Sequence, residues 1–457
     1  MNFAINAQNG GIYMLIEFTA RNYKSFQEMA FSMKPAPKQK GLDYSILTQK
    51  IGNKVYRGLC SSVIYGPNAS GKTNMIGAMD TFKWIVLRGH IRNEESDSSP
   101  NTAAFHLELI PYRGRYGEKP VEFSISFIYE NIKVKYGLSM NIGTFLDVHA
   151  SREILSEALY INENLIFRRG QKDIQFGKLD GIREFLVNAF ADNQKNLMEI
   201  ASHNIQNDEL FLMNGFKTMF SDKLVSLIRN WIQDCFMVVY HADSIHVKRK
   251  KNDRVKKDTA YIDGPLNRAA SCFGIHANEL GYIAGSDQEE PRLCSLFETK
   301  GHRAAGIPAD VFESYGTIRF LNLFPLLTAA IQKGGTLIVD EFDASIHPMA
   351  LMNLVNIFHN DDINIHGAQL IFNTHNPIFL DHNLFRRDEI KFVDWDEEKQ
   401  CSVHYSLSDF KTAGYNGVRR GSDYMKEYFV DRYGAIKDID LTPVFEELIR
   451  HKGGESE

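Results

Sequence analysis

The sequence is poor in cysteine. Five cysteines are scattered over 457 residues and none forms a Cys-x-x-Cys pair, which argues against a zinc ribbon and a thiol redox motif. Their odd number and wide spacing favour a reducing compartment over a disulfide framework. The pattern therefore predicts a cytoplasmic protein.

Long hydrophobic runs are also absent. No apolar stretch approaches the roughly 20 residues that a transmembrane helix needs, so we expect no membrane contact. The N-terminal segment has no basic region followed by an apolar one, which argues against a signal peptide. Residues 1–13 are interpreted as a loose extension, with Met14 as an alternative start to Met1.

Positive charge is not in excess either. Lys and Arg total 52 against 57 Asp and Glu, a formal net charge of −5, which excludes a protein that coats DNA through its whole surface. One local basic run lies within 248–257. Its functional interpretation is contact with nucleic-acid phosphates. A solvated loop or a docking strip for an acidic partner is favoured over it, because no aromatic side chains interleave with the charges. The cations of the run are Lys248, Arg249, Lys250, Lys251, Arg254, Lys256 and Lys257.

A glycine-rich segment stands between a predicted strand and a predicted helix. The apolar run Ser61–Tyr65 has no polar alternation, which is typical of a strand buried on both faces of a parallel sheet. Apolar residues then recur at helical spacing over Asn74–Arg88. Between them comes a loop with two glycines four residues apart, followed by Lys-Thr. The loop is Gly66-Pro67-Asn68-Ala69-Ser70-Gly71-Lys72-Thr73.

This loop fits the phosphate-binding pattern of nucleotide-binding proteins. Its backbone N–H groups and the N-terminus of the following helix are expected to hold phosphate oxygens. Lys72 is expected to reach the β- and γ-phosphates of ATP, and the Thr73 hydroxyl to bind Mg²⁺. The alternative, a glycine turn before a helix, is disfavoured by the flanking strand and helix.

Two later apolar strands end in candidate catalytic groups. Thr336–Val339 runs into Asp340 and Glu341. We expect Asp340 to hold Mg²⁺ and Glu341 to polarise the attacking water as a general base. The strand Gln369–Phe372 precedes His375, which we interpret as a sensor of the γ-phosphate, with a purely structural histidine as the alternative.

The residues that start the predicted helix 310–332 supply a further motif. Glu313-Ser314-Tyr315-Gly316-Thr317 resembles the signature motif of ABC-type ATPases, with Glu313 in place of the usual leucine. The resemblance implies that Ser314, Gly316 and Thr317 contact the nucleotide held by the opposite subunit. The alternative is an N-cap serine followed by a glycine turn.

The order of these motifs resembles the ABC-type ATPases of the Rad50, SMC and RecF group. Three further segments carry the resemblance: the opening strand and turn over 16–26, the string Asp340–Pro348, and the C-terminal stretch Tyr428–Ile436. They are similar to stand-alone bacterial RecF-like ATPases. That group includes ATPase subunits of anti-phage systems such as PARIS and AbiL, and the ATPase half of OLD-type nucleases.

The resemblance implies further site residues. It places nucleotide contacts on Asn22, Lys24, Ser25 and Asn74, and a D-loop that crosses a dimer interface on Asp343 and Ser345. His347 fits either a packing residue or part of that interface. No glutamine fits the family's Q-loop.

We therefore expect an α/β, ABC-type P-loop ATPase with a mixed sheet, an antiparallel β lobe and an inserted helical domain. The segments 181–240 and 252–302 are interpreted as mostly helical and as loops with short helices, respectively. The predicted units are the extension 1–13, a first ATPase half 14–174, the insertion 175–305, a second ATPase half 306–410 and a tail 411–457.

The implied function is an ATP-dependent dimerising switch in bacterial anti-phage defence. Two copies would form a nucleotide-sandwich dimer, or a higher oligomer, that controls a separately encoded effector such as a nuclease. The alternative is a RecF/Rad50-like ATPase that clamps DNA in repair. A transporter subunit is disfavoured by the insertion and the missing Q-loop glutamine.

Overall fold

The computed structural model describes residues 11–37, 42–92, 107–114, 119–144, 151–187, 190–204, 206–240, 259–261, 264–272, 279–283, 292–299, 302–411, 418–419, 421–437 and 439–452. The basic run at 248–257 lies outside these residues, as does most of the predicted polar loop 91–103.

Within the described residues, the strands fall into three sheets and one separate hairpin. In chain order they are β1 (Met14–Tyr23), β2 (Phe26–Ser32), β3 (Ile46–Ile51), β4 (Lys54–Leu59), β5 (Ser61–Tyr65), β6 (Val121–Tyr129), β7 (Ile132–Asn141), β8 (Glu153–Ile161), β9 (Asn164–Arg169), β10 (Ile174–Phe176), β11 (Phe236–Val239), β12 (Thr259–Tyr261), β13 (Glu279–Ile283), β14 (Arg292–Thr299), β15 (His302–Pro308), β16 (Thr336–Val339), β17 (Gln369–Asn373), β18 (Ile390–Asp396) and β19 (Cys401–Ser406).

The α-helices are α1 (Lys72–Arg88), α2 (Phe190–His203), α3 (Lys217–Met219), α4 (Asp222–Asn230), α5 (Gly264–Cys272), α6 (Ala309–Phe312), α7 (Tyr315–Lys333), α8 (Pro348–Phe358), α9 (Tyr424–Phe429) and α10 (Thr442–Lys452). Two π-helical turns lie at Leu212–Phe216 and Trp231–Cys235. No helix of the described residues has the length and apolarity to cross a bilayer.

A mixed six-stranded sheet forms the centre of the ATPase fold. Its order is β11-β16-β17-β5-β18-β19, parallel except for the antiparallel pair β18–β19. Every residue of β5, β16 and β17 is buried, as their unbroken apolar runs predict. Alternate residues face two cores: Ile64 and Ile338 face one, and Val63 and Leu337 the other.

An antiparallel sheet covers one face of this centre. Its order is β10-β9-β8-β7-β6-β1-β2, and the alternating sequence of β6 buries Val121, Phe123, Ile125 and Phe127. The predicted antiparallel β lobe is confirmed. The buried side of α1, including Phe82, packs into the same core. Together the two sheets confirm the α/β fold class with a mixed sheet and an antiparallel lobe.

The insertion is not purely helical. α2 and α4 confirm helices within 181–240, but Phe236–Val239 forms β11, which pairs in parallel with β16. The interpretation of 252–302 as loops and short helices is wrong for most of its described part, because β12–β15 form a four-stranded antiparallel sheet. The short strands carry few alternating apolar residues, so period-2 patterning is weak there. The domain boundaries given above stay a prediction.

Candidate functional site

The phosphate-loop segment connects β5 to α1, as predicted. Gly66 and Gly71 have φ angles of 158° and 112°. A Cβ at Gly66 would lie 2.1 Å from the Val393 carbonyl oxygen, and one at Gly71 would lie 2.3 Å from Ser402 Oγ. The loop therefore needs glycine at both positions, because the β18–β19 hairpin presses directly against it.

Lys72 is held across this loop. Its Nζ donates hydrogen bonds to the carbonyl oxygens of Gly66 and Pro67, at 2.8 and 2.9 Å. Burial lowers the pKa of Lys72 to about 8, although the nearby Asp340 and Glu341 oppose that shift. Because its partners are neutral carbonyls, the ammonium can exchange them for anionic phosphate oxygens and gain hydrogen bonds in which both partners are charged.

The predicted magnesium ligands meet at the carboxyl ends of the central strands. Thr73 Oγ1 donates to Asp340 Oδ1 at 3.3 Å, and Asp340 is 2% exposed. Octahedral Mg²⁺ ligands at right angles lie about 2.9 Å apart, so this hydroxyl and carboxylate suit the ion. The structure thus brings together the two residues predicted to hold Mg²⁺.

Asn373, at the end of β17, orients the acidic pair. Its Nδ2 donates to Asp340 Oδ1, while its Oδ1 accepts from the backbone N–H of Glu341. Arg319 on α7 donates from Nη2 to the carbonyl oxygens of both acidic residues. Asp340 and Glu341 are therefore positioned by residues from two different elements.

The predicted catalytic groups line one pocket of about 220 Å³. Glu341 is exposed there and has a φ of 49°, a left-handed conformation that non-glycine residues seldom adopt. Partial burial and the charge of Lys72 lower the pKa of His375, which favours a neutral imidazole. The pocket is lined by Asn68, Ala69, Gly71, Lys72, Thr73, Asn74, Glu341, Asn373 and His375.

Three residues of the N-terminal turn are predicted to contact the nucleotide, and one of them, Ser25, reaches this site. Ser25 Oγ accepts from Asn74 Nδ2 at 2.9 Å and bonds Ser402 Oγ at 2.8 Å. Asn22 donates to a backbone carbonyl, and Lys24 pairs with Glu108 and the Tyr240 hydroxyl. Nucleotide contacts from these three residues stay a prediction.

The signature segment begins α7 but does not line the described pocket. Ser314 caps α7, accepting from the Thr317 N–H at 3.1 Å. A Cβ at Gly316 would lie 1.9 Å from the Ser345 carbonyl oxygen. The signature therefore packs against the D-loop segment of its own chain, which includes Asp343 and Ser345. His347 caps α8 through Nδ1, which accepts from the Met349 N–H at 3.3 Å.

Sequence reasoning missed Arg319, Ser402 and the orienting role of Asn373. Asn373 lies at the end of β17, two residues before His375. That position at a strand end could have indicated a role in the site. Arg319 and Ser402 had none, because their contacts depend on how distant segments meet.

A family model described as "AAA domain, putative AbiEii toxin, Type IV TA system" matches residues 61–381, more than half of the chain. The chain belongs to this AAA-domain family. Membership confirms the predicted resemblance to P-loop, ABC-like ATPases. It also confirms the predicted ATP hydrolase activity.

Comparison with curated proteins gives no match. A solved structure titled "Crystal structure of the SmcHead bound to the C-winged helix domain of ScpA" is similar at 12% identity and a TM-score of 0.38. The match covers 87% of this chain and 99% of that one.

The contacts of Asn373 predict a role in magnesium use by this ATPase. We expect Asn373→Ala to raise the Mg²⁺ concentration needed for half-maximal ATP hydrolysis by about 10–100-fold, because Asp340 loses the amide that orients it. Asn376→Ala is the matched control, since Asn376 caps the short helix Pro377–Phe379. An unchanged Mg²⁺ dependence would contradict the role of Asn373.

Proposed function

We propose that two copies of this ATPase close over two ATP molecules and open again after hydrolysis. Each nucleotide would lie between the phosphate loop of one copy and Ser314, Gly316 and Thr317 of the other. The observation that carries the proposal is the separation of these two halves: the described pocket contains the loop, Glu341 and His375, but no residue of the signature.

The surface around the signature supports a second copy as the missing half. Four large apolar side chains, here called the apolar rim, flank Ser314 and the D-loop segment along the chain, with exposed fractions of 48–76%. Exposed apolar groups beside polar recognition residues are typical of protein interfaces. The rim consists of Val311, Phe312, Tyr315 and Met349.

The residues predicted to carry the chemistry have distinct roles in this proposal. Lys72 and the loop N–H groups bind the phosphates, and Glu341 takes a proton from the attacking water. Thr73 and Asp340 would hold Mg²⁺, which neutralises phosphate charge when bound. A neutral His375 can donate one N–H to the γ-phosphate.

The switch follows from differential affinity. ATP can close the dimer only if the closed state binds it more tightly than the open state. The signature of the second copy supplies that difference, because a helix N-terminus adds partial positive charge next to phosphate. Loss of the γ-phosphate removes the shared ligand, so the dimer opens.

We assign this switch to anti-phage defence in the cytoplasm, where it would control a separately encoded effector. The description of the family as a putative toxin of a toxin–antitoxin system supports this context.

The interface is tested by a charge placed on the apolar rim. Val311 is 76% exposed, and we expect Val311→Asp to abolish ATP-induced mass doubling in sedimentation while each monomer still binds ATP. Val55→Asp is the control, because Val55 is 59% exposed on β4, away from the described pocket.

The same two variants test the defence role. In cells that carry the natural gene neighbourhood, Val311→Asp should restore phage plaques and Val55→Asp should not. A wild-type protein that stays monomeric with a non-hydrolysable ATP analogue would overturn the dimer.

A further inference from the structure

A second cluster of reactive side chains lies at the opposite edge of the central sheet. Cys60 precedes β5, Glu389 precedes β18, and His359 follows the last turn of α8. The phosphate loop follows the carboxyl end of β5, whereas this cluster gathers at the amino ends of the strands. It is separate from the ATP pocket and shares no residue with its described lining.

The three side chains are close enough to share one ion. A ring nitrogen of His359, the Cys60 Sγ and a carboxylate oxygen of Glu389 all lie within 4.8 Å of one another. His359 Nε2 is 3.5 Å from Glu389 Oε1. Two ligands of tetrahedral zinc at about 2.0–2.1 Å from the metal lie about 3.3 Å apart, so this pair needs little adjustment.

A fourth donor is present beside them. Ser61 Oγ donates to Glu389 Oε1 at 2.8 Å and lies 2.8 Å from His359 Nε2. The hydroxyl thus sits between two of the three ligands and is placed to complete four-coordination. The backbone N–H of Arg386 donates to the other carboxylate oxygen at 2.8 Å, which orients Glu389.

Burial makes the cluster unusual. Cys60, Ser61 and Glu389 are fully buried, and His359 is 5% exposed. Buried carboxylates are normally paired with a cation or bind a metal. The guanidinium of the nearby Arg386 forms a two-bond pair with Asp388 and also attracts the Glu389 carboxylate electrostatically. His359 Nε2 is the nitrogen next to Glu389 and Ser61, so it is the one placed to bind an ion, while Nδ1 is buried without a hydrogen-bond partner among the described residues.

We propose that Cys60, His359 and Glu389 bind one structural zinc ion, with Ser61 Oγ or a water molecule as the fourth ligand. The charges balance, because a divalent cation with a thiolate, a carboxylate and a neutral imidazole gives a neutral buried site. Sulfur and imidazole donors favour zinc over Mg²⁺, which prefers oxygen ligands. The closed, buried ligand set fits a structural rather than a catalytic ion.

Such an ion would join three segments that are far apart in sequence. Cys60 and Ser61 anchor the start of β5, Glu389 the start of β18, and His359 the end of α8. Because β5 carries the phosphate loop at its other end, the ion would stabilise the strand that presents the loop. The ion takes no part in hydrolysis. This proposal can therefore be tested independently of the dimer switch.

The primary test uses the wild-type chain without an affinity tag. We expect elemental analysis to find about one zinc per chain after dialysis against a weak chelator. Replacement with Co²⁺ should give the absorption bands of tetrahedral cobalt together with a thiolate-to-cobalt charge-transfer band. No zinc, and no such band after incubation with Co²⁺, would overturn the site, whatever the variants do.

Matched variants then assign the ligands. Cys60→Ser and His359→Gln should each lower the zinc content at least tenfold. In the cobalt-substituted protein, Cys60→Ser should remove the thiolate band and His359→Gln should shift the cobalt bands. Cys401→Ser is the control, because Cys401 is also a buried free cysteine but belongs to β19. Full zinc content in a folded Cys60→Ser protein would contradict the assignment, as would loss of zinc in Cys401→Ser alone.

Discussion

Replacing Glu341 with glutamine should lower the rate of ATP hydrolysis by about 10²–10⁴-fold while ATP binding persists. The amide keeps the size of the side chain but cannot accept a proton from water. The backbone N–H of Glu341 remains bonded to Asn373, and Asp340 keeps its contact with Thr73, so the substitution leaves the phosphate and magnesium contacts in place.

If two copies close over ATP as proposed, the same variant should collect in the closed state, because the γ-phosphate that would bridge them is not removed. Single-turnover hydrolysis and sedimentation with ATP measure the two effects. Glu398→Gln, in the exposed turn between β18 and β19, is the control. If Glu341→Gln binds ATP and its assembly state never changes, the switch mechanism is wrong. If it hydrolyses ATP at the wild-type rate, Glu341 is not the general base.

The parts of the site that could be predicted are those encoded within short segments. The loop 66–73 combines its glycines, Lys72 and Thr73 in eight consecutive residues, and the strands on either side are unbroken apolar runs. Parallel strands carry their C-terminal residues to one edge of a sheet. Asp340, Glu341 and His375 could therefore be expected near Lys72 from the sequence, and Lys72, Glu341 and His375 line the same pocket.

The parts that could not be predicted depend on contacts between distant segments. Ser402 closes over Ser70 and Ser25 because β19 lies at one end of the central sheet, a placement that local patterns do not encode. The sequence of β11 is interpreted as the end of a helical region, because its four residues are too few to show a hydrophobic period. Its burial against β16 decides its conformation, so tertiary pairing prevails over local propensity.

Replacing Lys72 with alanine should weaken ATP binding by at least about 100-fold. The ammonium donates two hydrogen bonds to loop carbonyls, and with ATP bound these would be replaced by hydrogen bonds to anionic phosphate oxygens. Bonds of that kind contribute about 1.5–3 kcal/mol each, and about 3 kcal/mol corresponds to roughly 10²-fold in Kd. Isothermal titration with ATP and Mg²⁺ measures the loss directly.

The pH dependence of binding separates a phosphate contact from a structural role. Lys72 in the free protein has a pKa of about 8, and phosphate raises it in the complex, so binding takes up a proton above pH 8. ATP affinity should therefore fall as pH rises beyond 8, by at most about tenfold per unit for one proton. The phosphate groups titrate lower, at about pH 6, and add nothing in this range.

Lys83 provides the matched control for that dependence. It lies on the same helix, its burial also lowers its pKa to about 8, and its Nζ donates to the Phe236 carbonyl oxygen rather than facing the pocket. Lys83→Met should keep the decline of ATP affinity above pH 8, and Lys72→Ala should abolish it. The same decline in Lys72→Ala would assign the proton to a group other than Lys72.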